Sequence, residues 1–251
     1  MAGEALEGRQ IIGRGVSPGE GITINIQRLT ERDVKVAIKE DILKEEDRIG
    51  QLNREVIRRH GVRAFNLIGS PGAGKTSLIE AAHRQLTGKL SIGVIEGDLA
   101  SDKDTVRLQK LGLEALQINT GRGCHLSPVM LKKALLAMPL DLIDILIIEN
   151  VGNLVCPVSF DLGEEAKIGL VSVAEGDDKP TKYPLLFREA SVVILNKVDL
   201  MPYTDFNREA FYQGLRVINP TIPVIELSCR TGKGVEKWGK WLREFTREGI
   251  L

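Results

Sequence analysis

From residue 63 onward the chain alternates between two kinds of hydrophobic pattern. Short, continuous apolar runs rich in β-branched residues occur at 64–70, 91–98, 114–120, 142–150, 167–176, 191–197 and 223–228. They lack the every-other-residue alternation of a half-wet strand, and an unbroken run is how a strand covered on both faces reads. Amphipathic stretches with helical spacing separate them. Strand and helix in alternation predict an α/β fold, a mostly parallel sheet with helices on both faces. In such sheets ligands bind outside the carboxyl ends of the strands. The chemically distinctive residues of this chain fall at those ends.

The N-terminal part follows a different pattern. Residues 31–61 read as one long, highly charged helix, with Val36, Ile38, Ile42, Leu43, Ile49 and Leu52 forming a broken apolar stripe. Residues 1–30 are Gly-rich, with a short strand-like run at 22–27, and predict a flexible, weakly attached segment. The remaining 31–251 then form one domain that begins with the charged helix. A length of 251 residues and 43% hydrophobic content suffice for its core. Lys+Arg and Asp+Glu both number 34, and a net charge of zero gives no reason to expect nucleic acid or a membrane surface as partner. No run approaches the ~20 apolar residues of a membrane span, and the first residues carry no signal-peptide pattern. Three cysteines, an odd and low count, fit a reducing cytoplasm better than a disulfide framework.

The first chemical signal is "GSPGAGKTS", formed by Gly69, Ser70, Pro71, Gly72, Ala73, Gly74, Lys75, Thr76 and Ser77. It follows the first predicted strand, opens a helix and matches G-x-x-x-x-G-K-[ST] in full. The glycines let backbone N–H groups curl into an anion nest, and the helix adds its positive end. Lys75 is placed to bridge the β- and γ-phosphates and the Thr76 hydroxyl to ligate Mg²⁺. These features predict a P-loop NTPase.

"NKVDL" then ends a buried strand with Asn196, Lys197 and Asp199. A carboxylate there accepts both the N1–H and the 2-amino group of guanine, whereas adenine leaves it unpaired, so the expected nucleotide is GTP or GDP. The stem of Lys197 lies against the purine face and Asn196 ties the loop to the phosphate loop. The loop "SCRTGKG" completes the base pocket through backbone groups, with Ser228 and Cys229 leading it.

In "ENVGN", Glu149 takes the acidic position of a D-x-x-G element and holds a Mg²⁺-bound water, while the Gly152 N–H senses the γ-phosphate. "EGDLASDKD" adds Asp98, Asp102 and Asp104, with Arg107 close behind. A carboxylate at Asp98 or Asp104 completes the Mg²⁺ shell or orients the attacking water. The alternative for Asp102 and Asp104 is a plain helix start. No catalytic Gln or arginine finger is evident, which predicts slow turnover.

Cys124 and His125 stand side by side in "GRGCHLSP", and Cys156 follows Gly152 in "GNLVCPV". A lone Cys-His pair is more often a small buried hydrophobe in a loop. Here both loops follow strands at the nucleotide end of the sheet, and two thiolates with an imidazole suit Ni²⁺ or Zn²⁺. Three ligands are one short of a structural zinc site. Either water or a second subunit supplies the rest.

Together, "GSPGAGKTS", "EGD", "INTGRGCHL", "IIENVGNLVCP", "EGDDKPTKYP", "NKVDLMPY" and "SCRTGKG" make residues 62–241 resemble the HypB family, GTPases that assist nickel insertion into [NiFe]-hydrogenase. The resemblance implies a GTP-dependent homodimer with Ni²⁺ or Zn²⁺ at Cys124, His125 and Cys156. It also implies the metallochaperone HypA as partner and a hydrogenase large-subunit precursor as recipient. The N-terminal cysteine cluster or His-rich tract of some members has no counterpart in this sequence. Other readings stay open: a urease or cobalamin-enzyme accessory GTPase, a GTP-sensing metal reservoir without turnover, and a P-loop kinase using Asp98 as base.

Overall fold

The computed structural model describes residues 31–98 and 101–248. The expected flexible segment at 1–30 lies outside them, as do the side chains of Val36, Ile38 and Ile42. Seven strands form one sheet, all in parallel: β1 (Arg63–Gly69), β2 (Ile92–Asp98), β3 (Glu114–Asn119), β4 (Ile145–Glu149), β5 (Ala166–Ser172), β6 (Val192–Asn196) and β7 (Val224–Glu226), in the order β3-β2-β4-β1-β5-β6-β7. All seven sit on the runs read as buried strands, but the edge strands β3 and β7 are covered only in part, with Ala115 and Ile225 their only buried residues.

The eight helices of the described residues are α1 (Glu31–Arg59), α2 (Lys75–Leu86), α3 (Lys103–Lys110), α4 (Pro128–Leu135), α5 (Lys179–Lys182), α6 (Pro184–Glu189), α7 (Arg208–Ile218) and α8 (Val235–Glu248). Leu78, Leu108 and Trp238 of α2, α3 and α8 pack with Phe65 and Leu67 on one face of the sheet. Ile57 of α1 and Leu131 of α4 pack with Ala64 and Leu146 on the other. Phe187 of α6 and Phe211 of α7 extend that face beside Ile68 and Val193. Alternate residues of β1 therefore serve opposite cores, which is why its run is apolar without interruption, save for Asn66. Strands added on opposite sides of β1 put their crossover helices on opposite faces, as right-handed connections require. β1 and β4 thus lie in mid-sheet, where the chain reverses its direction of winding and opens a crevice at the carboxyl edge.

The chain divides into two compact units, Met1–Glu45 and Glu46–Leu251. Within the second, the end of α1 docks through Ile49, Asn53 and Ile57, at 8%, 1% and 1% exposure. Asn53 Nδ2 donates to the carbonyls of Pro128 (2.9 Å) and Leu162 (3.1 Å). Arg54 Nη2 donates to both Asp161 carboxylate oxygens, at 2.7 and 2.8 Å. The stripe expected from apolar residues alone is therefore corrected: Leu43 is 43% exposed, and a buried asparagine takes the central place in the seam.

Gly50 lies in that seam, and a Cβ there would collide with the Asp161 carbonyl oxygen. Gly→Ala in a free helix stabilises by up to about 1 kcal/mol. Overpacking against fixed backbone costs about 1–3 kcal/mol. Gly50→Ala is therefore expected to destabilise the domain in chemical denaturation. A stabilised variant would show that this half of α1 does not dock.

Candidate functional site

β1 delivers the chain into the phosphate loop, and α2 begins at Lys75. Gly74 caps that helix at φ 102°, ψ 35°, a left-handed conformation that a side chain resists. A Cβ there would also lie 2.5 Å from Asn196 Nδ2. Both reasons demand glycine. Asn196 Nδ2 donates to the Ala73 carbonyl at 2.9 Å, and its Oδ1 accepts from the amides of Lys197 (2.7 Å) and Cys229 (3.3 Å). This one buried side chain joins the ends of β6 and β7 to the phosphate loop. Lys197, in left-handed backbone at φ 59°, extends Nζ to the Gly72 carbonyl at 2.6 Å.

Asp199 stands next to this junction with its Oδ1 buried and unpartnered. A buried carboxylate oxygen without a donor costs free energy, and a base edge carrying N–H groups relieves it. Ser228 is fully buried, its Oγ accepting from the Thr231 amide at 3.1 Å to close the base-side loop. Burial pushes the Cys229 thiol up to about 11, so it stays protonated and packs on the core. The Cys229 amide is already used inside the protein, by Asn196.

Beside the phosphate loop lies a cavity of about 550 Å³ whose walls include Lys75, Thr76, Asp98, Asp104, Glu149 and Gly152. The expected phosphate and magnesium residues therefore converge on one space. Lys75 Nζ folds back to the carbonyls of Gly69 (3.4 Å) and Ser70 (3.3 Å), long contacts that an anion can replace. Thr76 Oγ1 donates to Glu149 Oε1 at 3.3 Å, and Glu149 Oε2 is buried without a partner. A hard cation with oxygen ligands fits a hydroxyl and an under-satisfied carboxylate so placed. A Cβ on Gly152 would lie 2.8 Å from Pro71 Cγ, so the segment after β4 rests directly on the phosphate loop. Asp102 stands at the start of α3 but makes no side-chain cap, while Asp104 faces the cavity.

The structure adds Glu96 to this wall. It is 3% exposed and lies directly opposite Glu149 in the parallel register of β2 and β4. Burial raises its pKa, opposed by a hydrogen bond from Thr105. Burial likewise pushes Glu149 up to about 8, with Lys75 opposing and Glu96 adding to the rise. An acid inside an apolar run, preceding the more exposed Asp98, was the available signal. Arg107 also borders the cavity, its guanidinium held by Glu80 at 2.5 and 2.7 Å.

The Cys-His pair sits on the loop after β3. Thr120 accepts from the Gly123 amide at 2.9 Å to shape that turn, and Ser127 caps α4 behind it. Cys156 opens a short 3-10 turn, Cys156–Ser159, after the Gly152 segment. One ligand atom each from Cys124, His125 and Cys156 lie within 4.8 Å of one another. Cys124 Sγ is 3.5 Å from His125 Nδ1. The imidazole stacks on Phe160, with ring centroids 4.0 Å apart and planes 10° apart, and burial lowers its pKa. Burial thus favours the neutral ring, the form with a lone pair to donate. A hydrogen bond to Cys156, then burial, raises the Cys124 pKa. Two sulfurs and an imidazole brought this close suit a borderline-soft divalent ion.

A family model described as the CobW/HypB/UreG nucleotide-binding domain matches residues 63–226. The hydrogenase maturation factor HypB of Escherichia coli (strain K12) is 45% identical over 202 residues, covering 80% of this chain and 70% of that protein. A crystal structure of HypB from Archaeoglobus fulgidus superposes with a TM-score of 0.77 at 40% identity, covering 82% of this chain and all of that one. HypB from Helicobacter pylori, crystallised in complex with nickel, gives 0.78 at 36% identity, covering 81% of this chain and 96% of that one. Likeness that runs through the phosphate loop, the sheet and four-fifths of the length makes this chain a member of the HypB family of hydrogenase maturation factors, built on a P-loop NTPase fold.

Proposed function

We propose that the chain binds and hydrolyses GTP and delivers nickel for maturation of [NiFe]-hydrogenase. The observation that carries the reading is the meeting of Cys124, His125 and Cys156 on loops that leave the same sheet edge as the phosphate loop. Gly69 to Ser77 wrap the phosphates. Asp199 reads the guanine edge, Asn196 and Ser228 hold the loops that frame it, and Lys197 packs beside the base. Thr76, Asp98 and Glu149 would hold Mg²⁺, which would supply positive charge to offset that of the phosphates. Lys75 neutralises the β- and γ-phosphates, and the Gly152 amide faces the γ-phosphate. Asp98 or Asp104 orients the attacking water.

Nickel, or zinc in its place, is cargo held by two thiolates and one imidazole, with a second copy of the chain completing the set in a GTP-dependent homodimer. HypA and a hydrogenase large-subunit precursor are the partners of this reading, and a reducing cytoplasm the setting in which both thiols stay free. No helix of the described residues is long and apolar enough to cross a membrane.

Removing the Asp199 carboxylate removes charge-assisted bonds that only guanine makes, each worth about 1.5–3 kcal/mol. Asp199→Ala is expected to lose tenfold or more of its GTP-over-ATP preference while phosphate contacts persist, read by competition between the two nucleotides. Unchanged selectivity would falsify the base assignment.

Cys124→Ala and Cys156→Ala are each expected to abolish stoichiometric Ni²⁺ binding in equilibrium titration, since two remaining ligands hold the ion poorly. Retention of a full equivalent in both variants removes the site.

Glu149 sets a pH dependence. Its pKa of about 8 in the folded chain exceeds the ordinary 4.5, so between those values the folded state binds more protons than the unfolded. Stability therefore falls as pH rises from about 4.5 to about 8, by an amount on the order of a few kcal/mol. Melting of the nucleotide-free chain should show this slope, and Glu149→Gln should flatten part of it and raise stability at the alkaline end. An identical slope in the variant would mean the carboxyl ionises normally.

A further inference from the structure

Asn66 sits in the middle of β1 at 0% exposure, on the face otherwise built from Ala64 and Ile68. An amide in that position is tolerated only when bonded. Its Nδ2 donates to Glu164 Oε1 and its Oδ1 accepts from Asn150 Nδ2, both at 3.2 Å. Asn150, at 1% exposure, follows Glu149 in the chain. Its Oδ1 accepts from two backbone amides, Val151 and Leu126, each at 3.0 Å. Two N–H donors on one oxygen fix the orientation of the amide. Val151 leads into Gly152 against the phosphate loop, and Leu126 directly follows His125.

The other end of the chain of bonds reaches the second cysteine. Glu164 Oε2 accepts from the Leu162 amide at 2.7 Å, and its Oε1 lies 3.8 Å from Lys167 Nζ. Lys167 Nζ donates to the Val158 carbonyl at 2.7 Å, inside the turn that Cys156 opens. One buried run of polar side chains thus touches the Gly152 segment, the Cys-His loop and the Cys156 turn.

We infer that Asn150, Asn66, Glu164 and Lys167 form a positioning relay that holds both halves of the metal site and makes metal affinity depend on the bound nucleotide; this rests on the functional reading above. When the Val151–Gly152 amides shift with the γ-phosphate, Asn150 Oδ1 cannot keep both of its donors. A buried donor left unpaired costs about 1–3 kcal/mol, so the Leu126 amide moves with it and carries His125. At the far end Lys167 holds the Cys156 turn against the same carboxylate. Groups behind metal ligands commonly change affinity about 10–100-fold when removed. The two sites are then coupled through one shared set of bonds.

The test titrates Ni²⁺ into the full chain with Mg²⁺ and either GDP or a non-hydrolysable GTP analogue. In the unaltered chain the two nickel dissociation constants should differ at least about fivefold, and in Lys167→Met and Asn150→Asp the ratio should fall to within about twofold of one. Both variants keep all three metal ligands, so each still takes up nickel and guanine nucleotide. Lys167→Arg should restore the ratio, which a merely structural role would not require. Should Asn150→Asp fail to fold, Lys167→Met at the partly exposed edge of the relay decides alone. A wild-type ratio preserved in Lys167→Met overturns the inference, as does equal nickel affinity in both nucleotide states of the unaltered chain. Failure of the unaltered chain to bind nickel or nucleotide overturns the functional reading instead, and the two failures are distinct.

Discussion

Two carboxylates, Glu96 and Glu149, face each other across adjacent parallel strands with almost no access to water. Burial opposes their ionisation, and Glu96 raises the pKa of Glu149 further. Only the registry of β2 with β4, fixed by continuous apolar packing on both faces, keeps them there. In the proposed reading that opposition is relieved when Mg²⁺ and a triphosphate arrive, because a divalent charge favours the ionised form. The site is then built ahead of its ligand, and its polar groups need little rearrangement at the moment of reaction. The destabilisation of the nucleotide-free state is the counterpart of that order, since folding free energy is held at the ligand site until the ligand binds.

Asn196 and Asn150 perform the same physical task on opposite sides of the phosphate loop. Each is a buried amide at or just past the carboxyl end of a strand, and each ties two loops that the sequence keeps far apart. Asn196 joins the base-side loop to the phosphate loop, so the two are held in one geometry. Asn150 joins the Gly152 segment to the Cys-His loop. Amides suit this use because a single group both donates and accepts without a charge to desolvate. A serine hydroxyl is shorter and has a single donor, and an aspartate lacks the donor whose bond Asn66 accepts.

The fold was legible almost throughout, for a specific reason. Strands buried on both faces are apolar at nearly every position, and helices between them must be amphipathic, so the seven runs left little freedom in assigning β1 to β7. The phosphate loop and the tie from Asn196 to it were legible because backbone geometry there demands one residue type at fixed spacing. Glu96, Asn66 and Asn150 were not. They lie within or beside apolar strands, where a polar residue gives no periodic signal, and their meaning comes from neighbours supplied by other strands. The α1 seam failed for the same reason: Asn53 is a polar residue doing a core residue's work, and Leu43 is an apolar residue left in water. Phe160, which stacks on His125, sits in an irregular loop where no pattern precedes it.

The group of Cys124, His125 and Cys156 is exposed at Cys124 and half-buried at His125 and Cys156, unlike the dry centre of a structural zinc site. A closed four-ligand site in a folded core releases its ion only on unfolding, because ion binding and folding share one free energy. In the proposed reading the ion instead sits at the edge of a core whose strands, amide ties and helix cap after His125 are bonded through protein groups alone. Binding free energy is thereby left available for transfer rather than committed to the fold. In the proposed reading, exposure at Cys124 also gives an acceptor's ligands a route to the ion before its present ligands let go. A water-facing site with three ligands from each chain would thus be suited to passing an ion on, where a closed one would be suited to keeping it.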